Sequence, residues 1–372
     1  MGQVKSAYVH IPFCTQICYY CDFSKVFIKN QPVDEYIDSL ITEFDSYNIE
    51  ELRTLYIGGG TPTALNSQQL EKLLAGLTRN LDLSKLEEFT IEANPGDLDE
   101  EKISVLENSP VNRVSLGVQT FDDKLLKKIG RSHTSEDVYH NIELLKNHGF
   151  ENISIDLIYA LPGQTFDQVK EDLKKVLALD LPHVALYSLI LENHTIFMNR
   201  MRRGKLNLPN EDTDAEMYQY IIDNLELEGY EHYEVSNFSR PGFESKHNLV
   251  YWNNEEYYGI GAGASGFVDN TRYKNFGPVH HYLAHQNKVV SEEVLDKKAH
   301  MEEEMFLGLR KKSGVKISDF EAKFEEDFEK LFGKEVKKLI SQELIEIQNG
   351  RINMTKKGFL LGNEVFESFL LD

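Results

Sequence analysis

Ala7-Tyr8-Val9-His10-Ile11-Pro12-Phe13-Cys14-Thr15-Gln16-Ile17-Cys18-Tyr19-Tyr20-Cys21 opens as a strand, Ala7–Ile11, and runs at once into all three cysteines of the chain. The spacing is C-x3-C-x2-C with no fourth thiol anywhere. An odd number of cysteines closing very short loops is a poor disulfide set. Soft thiolates gathered in one loop suit a metal cluster instead. In a four-iron cluster, three ligands would leave one iron open to a small molecule. The competing possibility is a structural zinc site of three cysteines and a histidine, with His10 as the fourth ligand. Zinc sites usually space their ligands in two separated pairs, whereas this set sits in one loop and His10 lies within the strand.

Outward from that loop, strand and helix patterns alternate. Apolar or β-branched runs occur at Ala7–Ile11, Thr54–Ile57, Glu88–Glu92, Arg113–Val118, Ile153–Ile158 and Val184–Leu189. Helical patterns lie between them at Asp34–Tyr47, Ser67–Asn80, Glu100–Glu107, Asp122–Ile129 with Ser135–His148, and Asp167–Leu179, with Asp212–Glu228 beyond. Ser67, Asp122 and Ser135 read as helix starts, and Gly130 and Gly149 as stops. Strand-then-helix units in series imply parallel strands with right-handed crossovers. Nearly all-apolar strands imply that both sheet faces are covered. Six units are too few for a closed eight-fold barrel, so the expectation is an α/β fold with a partial, open β/α barrel.

Chemistry in parallel β/α architectures gathers at the carboxyl ends of the strands. The cysteine loop follows the first strand and Gly58-Gly59-Gly60-Thr61-Pro62 the second. Glu92 ends the third strand, Gln119 the fourth, Arg131 lies in the loop beyond it, and Asp156 belongs to the fifth. Each has a plain structural explanation: a tight turn for the glycines, a solvated strand end for Glu92. Asp156 is harder to dismiss, because an unpaired charge in an Ile-Asp-Leu-Ile run is costly; its partner is expected to be a ligand or Arg131. Together these residues place a cluster, a glycine loop, two carboxylates, an amide and a guanidinium on one rim.

Lys plus Arg number 40 against 61 Asp plus Glu, a formal charge of −21. So acidic a surface repels phosphate backbones and argues against nucleic-acid binding. No apolar run reaches the length of a membrane span, and Met1 leads into the first strand without a signal-peptide pattern. The expectation is a cytoplasmic protein in a reducing compartment.

The chain resembles radical S-adenosylmethionine proteins of the oxygen-independent coproporphyrinogen oxidase-like group, and within it the haem chaperone branch. The resemblance rests on the cysteine spacing and Gly-Gly-Gly-Thr-Pro loop. Finer matches are Tyr8–Cys14, Asn112–Gln119 and Asp156-Leu157-Ile158-Tyr159-Ala160-Leu161-Pro162-Gly163-Gln164. It implies a partial (β/α)6 barrel over residues 1–235 and a smaller α+β domain over 236–372. It implies a 4Fe-4S cluster on Cys14, Cys18 and Cys21, its open iron chelated by S-adenosylmethionine, which such proteins cleave to a 5′-deoxyadenosyl radical. By the same resemblance Tyr8, Tyr20, Gly59, Gly60, Thr61, Glu92, Gln119, Arg131 and Asp156 contact the adenosylmethionine. The catalytic oxidases carry a further cysteine where this chain has Phe23, and a long extension before the Tyr-x-His motif. Both departures match the chaperone branch.

That branch also carries a His-Asn-x-x-Tyr-Trp motif, here His247-Asn248-Leu249-Val250-Tyr251-Trp252. A neutral imidazole suits haem iron, and flat aromatic faces suit a porphyrin, so His247, Tyr251 and Trp252 are expected haem contacts. A buried histidine in an aromatic core is the structural alternative, and His232, His280, His281 and His285 are rival ligands. Gly261-Ala262-Gly263-Ala264-Ser265-Gly266 satisfies G-x-G-x-x-G, but strand and turn follow it, so a dinucleotide site is rejected. Residues 236–288 read as a glycine and aromatic segment and 289–372 as a winged-helix-like module. The module rests on helical patterns at Met301–Arg310, Ser318–Phe328 and Glu335–Glu343, an Asn349-Gly350 hairpin and a closing helix, Lys356–Leu371. Its charges nearly balance, so it is expected to cover the barrel or dock a partner. The function implied is a haem chaperone that passes haem to acceptor haemoproteins, respiratory enzymes among them, with room for a homodimer. The alternative is a radical enzyme, either a coproporphyrinogen oxidase or one of another porphyrin reaction.

Overall fold

The computed structural model describes residues 4–371. Its frame is a nine-stranded sheet. The strands are β1 (Ser6–Ile11), β2 (Thr54–Gly59), β3 (Glu88–Ala93), β4 (Arg113–Gln119), β5 (Ile153–Tyr159), β6 (His183–Ser188), β7 (Glu231–Glu234), β8 (Asn237–Ser239) and β9 (Tyr258–Ile260). They lie in the order β9-β1-β2-β3-β4-β5-β6-β8-β7. β1 through β6 are parallel, as the alternating units require. The sheet curls but does not close.

Two additions escaped the sequence reading. The hairpin β7–β8 adds antiparallel strands beside β6, and β9 adds a parallel strand outside β1. The sheet therefore runs on past residue 235, and the first strand is flanked by residues from near the chain's two-thirds point.

The helix starts follow local chemistry one residue earlier than expected. Asn66 and Thr134, not Ser67 and Ser135, are the caps, each in a reciprocal capping box. Asp122 caps as expected, and Gly130 ends its helix in the left-handed conformation.

Both sheet faces are covered, as expected, but the two differ in kind. One face does bury Val9, Leu55, Ile57, Phe89, Ile91, Val114, Leu116, Ile155 and Val184 against the helices. The alternating positions are Tyr56, Thr90, Glu92, Arg113, Ser115, Ser154, Asp156, His183 and Tyr187. Their registers bring them onto one layer, and most of them line a single cavity on the inside of the curl. The sheet is covered on both sides, but its inner side encloses a polar chamber.

Beyond β9 come a three-stranded antiparallel sheet, β10 (Ser265–Val268), β11 (Thr271–Asn275) and β12 (Val289–Val294), and then a terminal module. In the module, helix Lys297–Leu309, strand Val315–Lys316, helices Ile317–Phe324 and Phe328–Ser341, and the hairpin Ile345–Gln348 with Arg351–Met354 follow in winged-helix order. Asn349 and Gly350 both take positive φ in the hairpin turn. The closing helix is broken into Lys356–Leu360 and Gly362–Glu367, a poor helix former standing at the break. Glu325, at φ 54°, ends the second helix sooner than the pattern suggested. Among the described residues, no helix is long and apolar enough to cross a membrane.

Candidate functional site

The carboxyl ends of β1 to β6 open on a cavity of about 430 Å³. Cys14, Cys18 and Cys21 all line it. Residues Phe13–Cys14 pair with Val26–Phe27 and pin the base of the cysteine loop. The three thiols are free. Burial pushes the Cys14 thiol up to about 12, against a hydrogen bond from Thr61 that lowers it, and burial raises Cys21 also. Neutral thiols so placed become thiolates when soft cations supply the opposing charge. Two donors already face the sulfurs: Arg131 Nη1 is 3.3 Å from Cys18 Sγ and Thr61 Oγ1 is 3.8 Å from Cys14 Sγ. Arg131 Nε is buried and unpartnered. The donor set fits a cluster of thiolate-bound irons.

His10 does not join it. Its Nδ1 is 2.9 Å from the Tyr8 hydroxyl and its Nε2 2.7 Å from the Ser24 carbonyl. Among the described residues no three histidine, cysteine or carboxylate side chains are gathered closely enough to hold a metal ion, the three thiols included. The zinc alternative loses its fourth ligand.

The glycine triplet is explained by its neighbours. A Cβ on Gly58 would stand 2.6 Å from the Glu92 carboxyl carbon. One on Gly59, at φ +109°, would stand 2.3 Å from the His10 ring, and one on Gly60 would lie 2.8 Å from the backbone of residues 11–13. The turn thus lets the second strand end against both the cluster loop and a carboxylate. Gly59 N–H and the Tyr56 hydroxyl donate to Glu92, at 2.9 and 2.7 Å. Gln119 sits at φ +69° beside a register shift between β4 and β5. A non-glycine residue held in the left-handed region at a cavity wall is stored strain of the kind found at binding sites.

Asp156 does not hydrogen-bond Arg131, one of the two partners expected for it; its side-chain partners within the protein are serines. It accepts from Ser115 Oγ at 3.0 and 3.1 Å and from Ser154 Oγ at 3.5 Å. Arg131 instead donates to Asn94 Oδ1 at 2.7 Å, to the Gly117 carbonyl and to the cluster loop. Asn94 Nδ2 in turn donates to Thr61 Oγ1 at 2.8 Å. Of the nine residues named for adenosylmethionine, Tyr20, Gly59, Gly60, Thr61, Glu92, Gln119, Arg131 and Asp156 line the cavity. Tyr8 does not line it and faces His10. Asn94, Tyr56, Arg113 and Tyr187 were missed. Their signal was present as polar residues at alternate strand positions, hidden inside apolar-looking runs.

Burial is the chief cause that pushes the Glu92 carboxyl up to about 7 and Asp156 to about 6; the donors named above pull both down. Carboxyls raised on folding stabilise the fold below their unfolded values and lose that contribution as pH rises through the folded ones. The ligand-free protein is therefore expected to lose stability as pH climbs to about 7. For Glu92 the loss is on the order of 3 kcal/mol. Thermal melts across that range should show Glu92→Gln flattening the slope; an equal slope in the variant would contradict the assignment.

The model of the radical SAM superfamily matches residues 8–176, and that of the HemN C-terminal domain residues 295–361. The chain is 65% identical over 370 residues to the heme chaperone HemW of Lactococcus lactis subsp. lactis (strain IL1403), covering 99% of this chain and 98% of that protein. It is 46% identical over 382 residues to the heme chaperone HemW of Bacillus subtilis (strain 168), covering 99% of each. The chain belongs to the HemW family. Among solved structures, the coproporphyrinogen III oxidase HemN of Escherichia coli superposes with a TM-score of 0.85 at 23% identity, over 99% of this chain and 90% of that one. That likeness shows a shared fold.

In this HemW-family chain the His-Asn-x-x-Tyr-Trp motif forms a helix, Lys246–Trp252, capped by Ser245. Glu88, at the start of β3, accepts from the backbone N–H groups of Lys246 and His247 at 2.8 and 3.1 Å. The helix closes the floor of the chamber, and Ser245 and Asn248 line it from below. His247 corrects the expectation of an open axial ligand. It is wholly buried. Its Nδ1 is 2.9 Å from Thr54 Oγ1 and its Nε2 2.9 Å from the Tyr251 hydroxyl, so neither nitrogen is free. Tyr251 and Trp252 line a second cavity of about 260 Å³, with Tyr257, Phe267, Arg272 and Leu307, while the Tyr251 hydroxyl turns in to His247. The Arg310 guanidinium lies 4.5 Å from the Trp252 ring centre.

The rival histidines His232, His280, His281 and His285 line neither cavity. His232 is buried and stacked on Phe238 at 4.6 Å. His280, His281 and His285 are exposed along helix Val279–Ala284, beside Phe276. The glycine segment Gly261–Gly266 leads from β9 into β10 with no helix after it, in keeping with the rejected dinucleotide reading.

Proposed function

We propose that this chain is a haem chaperone that carries a 4Fe-4S cluster and an adenosylmethionine site and hands haem to acceptor haemoproteins. The observation that carries the reading is end-to-end similarity to proteins named heme chaperone HemW, coupled to three thiols that line the mouth of one polar chamber. Cys14, Cys18 and Cys21 would hold the cluster, which would supply an open iron and one-electron reduction when bound. Gly59, Gly60 and Thr61 would border the polar end of adenosylmethionine, their backbone N–H groups being held by Glu92, Ile11 and Phe13. Glu92 and Asp156, ionised above their raised values, offer acceptors to hydroxyl and ammonium groups. Arg131 holds Cys18, Asn94 and the fourth strand in one arrangement.

Haem is assigned to the outer side of the motif helix, where Tyr251 and Trp252 offer flat apolar surface beside the second cavity. Phe23, in place of the oxidases' further cysteine, is 62% exposed on the cluster loop. Its ring can neither ligate iron nor transfer a proton.

Three measurements test the reading. Trp252→Ala should lower haem retention and alter the Soret band while leaving iron–sulfur absorbance unchanged. Glu92→Ala and Asp156→Ala should weaken the change that adenosylmethionine makes to the spectrum of the reduced cluster, about tenfold each if each loses a charge-assisted hydrogen bond. Iron content should stay at wild-type levels. Assayed without oxygen, the wild type should not convert coproporphyrinogen to protoporphyrinogen; robust turnover would defeat the chaperone reading.

A further inference from the structure

The inward side of the motif helix has a task that haem binding leaves unexplained. The His247 ring lies against Tyr56, with centroids 5.1 Å apart and planes at 26°. Tyr8, its cross-strand neighbour on β1, lies 6.0 Å from Tyr56 at 28°. Two flat rings thus pack against Tyr56. Its hydroxyl, the one side-chain donor to Glu92 among the described residues, reaches Oε1 at 2.7 Å. The column continues to the cluster loop, because Tyr8 meets His10 and His10 meets the Ser24 carbonyl.

We propose that His247 is a positioning residue of the adenosylmethionine site: its ring fixes Tyr56 at the angle from which the hydroxyl holds Glu92. The proposal rests on the reading of Glu92 as an adenosylmethionine contact. A tyrosine side chain turns about two bonds, and only the swing about Cα–Cβ carries its hydroxyl along an arc, because the oxygen lies on the axis of ring rotation. His247 and Tyr8, packed against the ring, limit that swing. With a small residue at position 247 the ring gains room on one side, and the carboxylate loses its aimed donor. Thr54, Tyr251 and Glu88 hold His247 itself in place, which is why the motif carries a histidine and a tyrosine one helical turn apart. In this account the imidazole acts through its plane, and its nitrogens serve only to anchor it.

The test uses the full chain, reconstituted without oxygen and titrated with adenosylmethionine while the reduced-cluster spectrum is followed. His247→Ala removes the ring and its anchors. His247→Gln keeps groups able to bond Thr54 and Tyr251 but removes the flat face. His247→Phe keeps a flat face and cannot ligate iron. Ala and Gln are expected to weaken adenosylmethionine about fivefold, the worth of one aimed hydrogen bond, with iron content unchanged. Phe should stay within about twofold of wild type. Tyr56→Phe should weaken binding to the same degree, and His247→Ala should then add nothing, since both lesions remove one interaction.

Wild-type affinity in His247→Ala and His247→Gln, beside a weakened Glu92→Gln, overturns the proposal and spares the site. A silent Glu92→Gln removes the site and the proposal with it. Should His247→Phe fail to hold its cluster, His247→Gln in the Tyr56→Phe background decides: additive losses overturn the proposal and non-additive ones support it.

Discussion

Replacing any one of Cys14, Cys18 and Cys21 by Ala is expected to abolish the iron–sulfur chromophore outright. The wild type, reconstituted anaerobically, should hold about four irons and four sulfides, and each variant essentially none. The effect is all-or-none because no other thiol can take the lost one's place. The chain has no other thiol, and His10 spends both nitrogens on Tyr8 and Ser24. Loss of one thiolate leaves two of the protein's three bonds to the cluster, with solvent free to attack the exposed irons. Iron and sulfide analysis with visible absorbance reads the result directly. Stoichiometric zinc without iron in the anaerobic wild type would overturn the assignment of the loop.

The second large effect comes from a residue that ligates nothing. Gly59→Ala is expected to destabilise the protein by on the order of 3 kcal/mol, the sum of a left-handed backbone and an overpacked contact. The new methyl would stand 2.3 Å from the His10 ring. His10 cannot swing aside cheaply, since it is buried and bonded at both nitrogens. The ring it displaces is tied to Ser24 of the cluster loop, so cluster retention should fall along with melting temperature. A variant with wild-type melting and iron content would mean that the loop yields, and that the triplet serves only as a turn.

Much of this was legible in the sequence because the signals were local. Cysteine spacing, the glycine turn, Asp122, Gly130 and Asn349-Gly350 act within a few residues, and the alternation of strands and helices sets a parallel sheet. What remained hidden depends on distant partners. Asp156 gives no sign of whether a guanidinium or a pair of serines will answer it; Ser154 stands two residues before it on β5, and register sets Ser115 of β4 alongside. The polar chamber was masked in the same way. Tyr56, Thr90 and Ser115 look like ordinary members of β-rich runs until the curl of the sheet turns their common face inward. His247 was read for its chemistry as a ligand, but the packing of its helix under the sheet, fixed by Glu88 from 159 residues away, turns its ring into the core. No periodicity announces such a contact.

The pairing of β9 with β1 also bears on how the protein is made. Ala7, Tyr8 and Val9 find Tyr258, Gly259 and Ile260 as their outer neighbours. A ribosome adding roughly 5–20 residues per second leaves the free edge of the first strand waiting for on the order of tens of seconds. An uncovered strand edge invites pairing with other chains, and this one continues directly into the cysteine loop. Truncations ending before residue 258 should therefore aggregate and load iron poorly, even though they contain every thiol and all six parallel strands. Nascent chains would acquire their cluster late in synthesis, once the final strand has sealed the edge.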